Sequence, residues 1–425
     1  MSNENLESKR WGIAMAAVVM QLCLGTVYAW SVFKKPLMAN HPWGETQIQI
    51  TFMIFMFCIG TAAAFGGTLV DKKGPKFVAT IGGVLFGLST LLAGYADQIG
   101  SLTLLYLSWG LIGGIGNGFC YVTPIATLIR WFPDKRGLVT GLAVMGFGLG
   151  AFFMGKIAPA MITSFAGGLT ASGVAQTWYI WGVIFLVLVV GSALLFKNPP
   201  AGWLPAGFNP AAGGGVSAAN SLTFGEAVKT PQWWMLWAML FLNVSAGLGL
   251  ISQLSPLAQE FYKSLVTDAA VLNDPDTLTK VLAAAGGTVV SISAIFNGLG
   301  RLFWARVSDT IGRKAVFVTM FASQAVIYIL VAMGIISGYW LFLVASCYLL
   351  ACYGGGFATM PAFAADSFGP GYIGKVYGFM LTAWSAAGLL GPYVFATFKD
   401  QALMIAAALL IAGLIITLAF KKREA

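Results

Sequence analysis

Apolar runs of 18 or more residues return about twelve times along this chain, and nothing else in the sequence constrains the fold as strongly. They lie near Trp11–Val32, Ile48–Val70, Phe77–Ala96, Leu102–Trp131, Leu138–Ser164, Trp178–Phe196, Trp233–Tyr262, Val281–Val307, Ala315–Ile336, Trp340–Phe368, Ile373–Phe398 and Ala402–Phe420. Each is long enough to cross about 30 Å of hydrocarbon as a helix. A helix bonds its own backbone, which a segment in lipid must do because no water is there to do it. Charged residues are only 9% of the chain and hydrophobic residues 58%, against about 25% charged in soluble domains. A water-soluble fold has no means of hiding that apolar surface. The chain reads as an all-α membrane protein of 12 transmembrane helices.

Charge sets the expected orientation. The net charge is +9, but the cations cluster at Lys72, Lys73 and Lys76, at Arg130, Lys135 and Arg136, at Arg313 and Lys314, and at Lys421, Lys422 and Arg423. All of these fall on one side if both termini are cytoplasmic, while loops such as Asp97–Ser101 and Ser337–Tyr339 hold no Lys or Arg. That is the positive-inside asymmetry, so the basicity reflects topology and not a nucleic-acid partner. Lys34 and Lys35 break the pattern at the outer end of the first run, and Lys263 and Lys280 flank another outer loop. Lys9 and Arg10 precede a first run too long for the apolar stretch of a cleaved signal. The expected location is the cell inner membrane.

An internal repeat divides the chain. Gly67-Thr-Leu-Val-Asp71-Lys-Lys-Gly74-Pro-Lys76 follows the second run, and Ala305-Arg-Val-Ser-Asp309-Thr-Ile-Gly312-Arg-Lys314 follows the eighth, at an offset of 238 residues. Gly118-Phe119 and Gly356-Phe357 share that offset, and Gly137-Leu-Val139-Thr-Gly141 recurs as Gly374-Lys-Val376-Tyr-Gly378 with a one-residue slip. The chain therefore reads as two related six-helix bundles, residues 1–196 and 231–425. They are joined by a hydrophilic linker, residues 197–230, that carries Pro199-Pro200 and Gly213-Gly214-Gly215. Asp71 and Asp309, beside basic neighbours at the ends of their helices, are candidate gating residues; simple loop anchoring is the plainer alternative. The glycine-rich stretches Gly110–Gly118 and Gly146–Gly150 put small residues on helix faces, which suits close helix contact. No Gly-Lys-Ser/Thr follows them, so nucleotide binding is not expected.

Chemistry concentrates at Arg301. A permanent cation inside an apolar run costs at least ~2.5–3.5 kcal/mol on insertion scales, so such a residue ordinarily faces a cavity and holds an anion. Its guanidinium matches a carboxylate in two-pronged fashion. Asn297, four residues earlier, shares the same helix face. Asp309 lies eight residues away, about 12 Å along a helix axis, so an internal ion pair is the weaker alternative. Tyr28, Tyr121, Asn117 and Tyr353 could bond a substrate oxygen, while Trp384 and Phe357 could wall its apolar part. The five cysteines lie within runs and show no metal-type pairing. His41, beside Pro42, is expected to be a solvated loop residue.

Several motifs resemble a known family. The chain resembles major facilitator superfamily transporters over its whole length. Within that superfamily, Gly25-Thr-Val-Tyr28-Ala-Trp30-Ser-Val-Phe33-Lys-Lys-Pro36-Leu37, Arg130-Trp-Phe-Pro-Asp134-Lys-Arg136-Gly137, Asn198-Pro-Pro-Ala-Gly-Trp203, Thr230-Pro-Gln-Trp233 and Phe296-Asn-Gly-Leu-Gly-Arg301-Leu-Phe-Trp304 are similar to the oxalate/formate antiporter family, itself akin to the monocarboxylate transporters. The resemblance implies the major facilitator fold, with two pseudo-symmetric halves working by alternating access.

The departures bear on substrate. The family's oxalate exchanger pairs the eighth-span Arg with an eleventh-span Lys, and that position is Trp384 here. Its fifth-span Tyr aligns with Phe147, and its tenth-span Trp and Tyr with Tyr353 and Phe357. A single buried cation suits one carboxylate, because a dianion leaves a charge uncompensated in low dielectric. Animal-type monocarboxylate transporters carry an Asp where this chain has Asn297. The expectation is a secondary active transporter of small monocarboxylates such as lactate or pyruvate, with proton symport favoured on kinship and oxalate/formate-type anion exchange as the alternative. It is not expected to be an enzyme or to need a cofactor or metal. The expected partners are the organic anion, protons under the symport reading, and the lipid bilayer, with the protein a monomer.

Overall fold

Hydropathy sets where the helices lie, and polar caps set where several begin. The computed structural model describes residues 3–166, 173–200, 203–205, 221–369 and 372–421. Twelve of its helices are long and apolar enough to cross a membrane. They are α1 (Leu6–Ala29), α2 (Glu45–Val70), α3 (Pro75–Gln98), α4 (Leu102–Trp131), α5 (Gly141–Phe165), α6 (Gly173–Leu195), α7 (Pro231–Lys263), α8 (Pro275–Ile311), α9 (Arg313–Ala332), α10 (Tyr339–Phe368), α11 (Ile373–Thr397) and α12 (Lys399–Ala419). Thr230 caps α7 by accepting from the Trp233 amide at 3.3 Å, and Asp274 caps α8 by accepting from the Asp276 amide at 3.1 Å. Pro231 and Pro275 occupy the first helical positions, where the missing N–H costs nothing.

The repeat is visible in the backbone. Gly74 and Gly312 link α2 to α3 and α8 to α9 with nearly equal torsions, φ 83 and ψ 158 against φ 89 and ψ 151. A side chain is strained in that region, so both loops need glycine. Helices α1–α6 and α7–α12 form the two pseudo-symmetric halves. Outward-facing apolar side chains such as Val187, Val344, Trp340 and Ile415 are more than half exposed, as a lipid-facing surface requires.

The halves meet along two helix pairs, α5 with α8 and α2 with α11. Small residues let the backbones approach: a Cβ on Gly148 would stand 2.8 Å from Cα of Gly298, and one on Gly60 would stand 2.5 Å from Oγ of Ser385. Polar bonds reinforce the seams, with Ser291 Oγ donating to the Phe152 carbonyl at 2.8 Å and Thr61 Oγ1 lying 3.0 Å from Ser385 Oγ. Both seams stay in contact toward each membrane face. Lys156 donates to Thr288 at 2.8 Å near one end of the α5–α8 seam, and Phe65 meets Phe379 at 5.5 Å near the opposite end of the α2–α11 seam. The halves therefore touch near both ends of the bundle.

Two local features depart from the expected pattern. A π-helical stretch, Tyr106–Gly113, interrupts α4. His41 is not simply solvated: its ring stacks on Trp43 with centroids 3.9 Å apart, and Nε2 lies 2.6 Å from Oδ1 of the buried Asp97. Half of the expected linker, residues 201–202 and 206–220, lies outside the described residues.

Candidate functional site

Broken helices position the site. The α-helical part of α1 ends at Gly25, tightens into a 3-10 turn over Thr26–Ala29 and resumes at Ser31. Gly25 lies against the carbonyl of Phe147 on α5, a contact that leaves no room for a Cβ. The break turns Tyr28 toward the second half. A second interruption at Leu381 divides α11 just before Trp384. Irregular backbone inside a membrane protein is tolerated where protein or a cavity satisfies it, so two such breaks at one depth mark a site.

Six aromatic rings close into a loop there. Tyr28 meets Phe147 at 5.2 Å, Phe147 meets Tyr121 at 5.1 Å, and Tyr121 meets Trp384 at 5.2 Å. Trp384 meets Phe357 at 5.0 Å, Phe357 meets Tyr353 at 5.4 Å, and Tyr353 returns to Tyr28 at 5.6 Å. The contacts are edge-to-face, which suits the ring quadrupoles. Tyr28, Tyr121 and Phe147 come from the first half; Tyr353, Phe357 and Trp384 come from the second. A hydrogen bond of 2.8 Å between the Tyr28 and Tyr353 hydroxyls joins the halves.

Arg301 sits against this loop. Its Cζ lies 5.5 Å from the Phe357 centroid, and the Tyr28 and Tyr121 side chains lie within its electrostatic range. Gly148 and Gly354 make room for the side chain: a Cβ on the first would stand 3.2 Å from Arg301 Nε, and one on the second 3.1 Å from Cγ. Arg301 is 2% exposed, yet Nε and Nη1 have no hydrogen-bond partner. Both amide atoms of Asn297 are also buried and unpartnered, as is Trp384 Nε1.

Among the described buried charges, lack of an oppositely charged partner is specific to this place. Among the described residues four charged side chains are buried: Arg10, Lys34, Asp97 and Arg301. Arg10 pairs with Glu7 at 2.6 Å and Asp134 at 2.8 Å, Lys34 with Glu45 at 3.0 Å, and Asp97 with His41 at 2.6 Å. Among the described residues none offers Arg301 a carboxylate. A cation over an aromatic face gains about 0.5–2 kcal/mol, while burying an ion costs several kcal/mol unless an opposite charge meets it. The site can therefore receive an anion, with the Asn297 amide and the tyrosine hydroxyls as further donors.

Seven of the residues singled out from sequence converge: Arg301, Asn297, Tyr28, Tyr121, Tyr353, Trp384 and Phe357. Asn117 does not join them in the same way, because its Nδ2 donates to the Leu24 carbonyl at 3.1 Å and braces the break in α1. Asp309 pairs with Arg313 at 2.6 Å, and Arg313 reaches Asp366 at 3.3 Å, so this cluster ties α8, α9 and α10 within one half. The side chain of Asp71 lies outside the described residues. The sequence reading did not include Phe147 in the site. It also passed over Tyr377, whose hydroxyl approaches the Phe357 carbonyl at 3.5 Å and which lies within electrostatic range of Arg301. The seven-residue spacing of Tyr377 and Trp384, two helical turns on one face, was the available signal.

The sequence matches the model of the Major Facilitator Superfamily over residues 11–275 and 277–424, and the chain belongs to that superfamily of membrane transporters. It is 29% identical over 388 residues to an oxalate:formate antiporter of Oxalobacter formigenes, covering 91% of this chain and 84% of that one. It is 25% identical over 375 residues to apicoplast pyruvate carrier 1 of Toxoplasma gondii, covering 76% of this chain and 64% of that protein. Among solved structures, a bacterial homolog of the human lysosomal transporter Spinster superposes with a TM-score of 0.68 at 16% identity, covering 97% of this chain and 96% of that one. That likeness concerns the fold.

Proposed function

We propose that the protein carries short monocarboxylates across the cell inner membrane by alternating access, with both termini cytoplasmic. Residues 1–196 and 231–425 would rock about the central site, joined by a cytoplasmic linker at 197–230. The observation that carries this reading is the unpaired, buried Arg301 inside an aromatic enclosure built by both halves. Its guanidinium takes the substrate carboxylate, Asn297 orients it, and the six rings enclose the short apolar remainder. The names of the two relatives, an oxalate:formate antiporter and a pyruvate carrier, belong to the same carboxylate chemistry.

Charge also bears on the transport cycle. With one carboxylate bound the site is neutral and can reorient. Empty, it must carry a desolvated cation through the closed state, at a cost of several kcal/mol. This asymmetry supports exchange of one anion for another. Proton symport, favoured by the kinship to monocarboxylate transporters, needs a proton carrier, and Asn297 stands where an Asp would have served. Asp71 and Asp309 remain candidates for biasing the two states, and Trp384 in place of a second cation argues for mono- over dicarboxylates.

Flux into proteoliposomes tests both parts. Labelled lactate, pyruvate and formate should enter vesicles preloaded with unlabelled monocarboxylate, and oxalate should compete poorly. Under exchange, entry depends on the preloaded anion and not on an imposed pH gradient; under symport the dependence reverses. The proposal fails if none of these acids is carried or competes.

A further inference from the structure

The lysines that violate the positive-inside pattern have no role in the central site. Lys34 is 1% exposed, and an ammonium is strongly hydrated, so its burial requires an opposite charge. Glu45 supplies it, with Lys34 Nζ donating to Oε1 at 3.0 Å. The same oxygen accepts from Gln253 Nε2 at 2.6 Å, and Lys399 Nζ stands 3.3 Å from Oε2. Two ammonium groups and an amide N–H therefore converge on a single carboxylate. Lys34 and Glu45 belong to the first half, and Gln253 and Lys399 to the second. The arrangement is a carboxylate-binding site whose occupant is a side chain of the protein itself.

Its position connects it to Arg301. One turn inward from Glu45 on the same face of α2, Gln49 is fully buried with both amide atoms unpartnered. Ser31 Oγ, which accepts from the Ser255 amide at 3.3 Å, lies between Lys34 and Tyr28 along the first helix. Polar groups thus run from the outer mouth to the aromatic enclosure. When the halves part on this side, Gln253 and Lys399 leave with the second half, and Glu45 keeps only Lys34.

We propose that Lys34, Gln253 and Lys399 form an outer receiving site for the substrate carboxylate, which Glu45 fills in the closed state as a tethered stand-in. An arriving short monocarboxylate takes the donors that Glu45 gives up and passes inward to Arg301. The proposal rests on the monocarboxylate reading and on the orientation given above.

Kinetics from the two faces test it, with oriented proteoliposomes and labelled lactate as the probe. Lys34→Gln should raise the KM for external lactate about 10-fold, the weight of one charge-assisted hydrogen bond, while the KM from the cytoplasmic face stays put. Lys34→Arg should restore most of the external affinity. Glu45→Gln removes the stand-in, so it should lower the external KM and allow a second lactate to bind per chain in equilibrium dialysis. Should Lys34→Gln fold poorly, the gain in Glu45→Gln decides the matter, because misfolding does not tighten binding. Equal changes of KM from both faces, or external KM values at the wild-type level in both variants, overturn the proposal in favour of a structural clamp. Wild-type protein that carries no lactate, pyruvate or formate fails at the earlier step, the monocarboxylate reading itself.

Discussion

Lys34 and Arg301 are both buried cations, and they are satisfied in opposite ways. Lys34 holds Glu45 at 3.0 Å and shares it with Gln253 and Lys399. Arg301, equally cut off from water, faces an aromatic ring and finds no acid among the described residues. The first arrangement balances its charge inside the chain, so it can persist in an empty protein. The second is incomplete until an anion arrives. Covalent sequence makes both residues look alike, as cations near or within apolar runs. Their partners separate a balanced buried charge from an unbalanced one.

Removing Arg301 tests that contrast most severely. Arg301→Gln should abolish exchange, with lactate affinity lowered by about 10²–10³-fold, as expected when a buried charged hydrogen-bonding partner is lost. In a ligand-free thermal unfolding assay the same variant should be at least as stable as the parent, because an uncompensated buried charge has gone. Arg10→Gln should instead lower stability, since it takes from Asp134 the cation that holds it at 2.8 Å. A destabilised Arg301→Gln protein with intact transport breaks the contrast.

Supplying a second cation should change the substrate. Trp384→Lys places an ammonium group beside Phe357, the ring that Arg301 faces, in the position where the resembling oxalate exchanger carries lysine. Oxalate competition against labelled lactate should improve by about 10–100-fold, the range of one to two charge-assisted hydrogen bonds. Unchanged selectivity would show that charge count at the site does not set substrate valence.

A carboxylate introduced beside Arg301 should make it resemble Lys34. Asn297→Asp gives the guanidinium an internal partner, so lactate affinity at neutral pH should fall about 10-fold. It should recover as the pH is lowered and the new carboxyl protonates. Transport in this variant should become dependent on a pH gradient. If it stays pH-independent and retains parental affinity, Asn297 does not face Arg301 during transport.

The smallest expected effect belongs to Lys34. Burial pushes its ammonium down to about 8, against the attraction of Glu45 and with some repulsion from Lys399. In an outward-open state, with Lys34 hydrated and nearer the usual ~10.5, the open form binds the extra proton between those values. Raising the pH from about 8 toward 10.5 therefore favours the closed form, whose desolvation cost is full below 8. Spin-label distances between the outer ends of α1 and α7 should shift a few-fold in population toward the short distance. No shift means that Lys34 keeps its surroundings on opening.

Much of this architecture follows from local sequence. Twelve apolar runs dictate helices because lipid offers the backbone no other partner, and the 238-residue offset reappears as matching torsions at Gly74 and Gly312. Arg301 and Asn297 could be paired on one face by helical spacing alone. Tyr28, Tyr121, Tyr353, Phe357 and Trp384 could be named from composition and resemblance, though not joined into a closed loop. Phe147 and Tyr377 were missed because an apolar or aromatic residue in a membrane helix is ordinarily packing. Asn117, also singled out, is a buried polar residue whose amide holds the neighbouring backbone.

The sequence by itself determined the medium, the helices, the repeat and a cation inside an apolar run, Arg301, with no acid within a turn of it on its helix. These depend on hydropathy and spacing, which act over a few turns of one chain segment. Only the tertiary structure decided which buried charges are balanced, because a cluster such as the Gln253 amide and the Lys399 ammonium around Glu45 joins residues hundreds of positions apart. Electrostatic balance in a low-dielectric interior depends on distance in space, and distance in space is what a linear sequence leaves unstated.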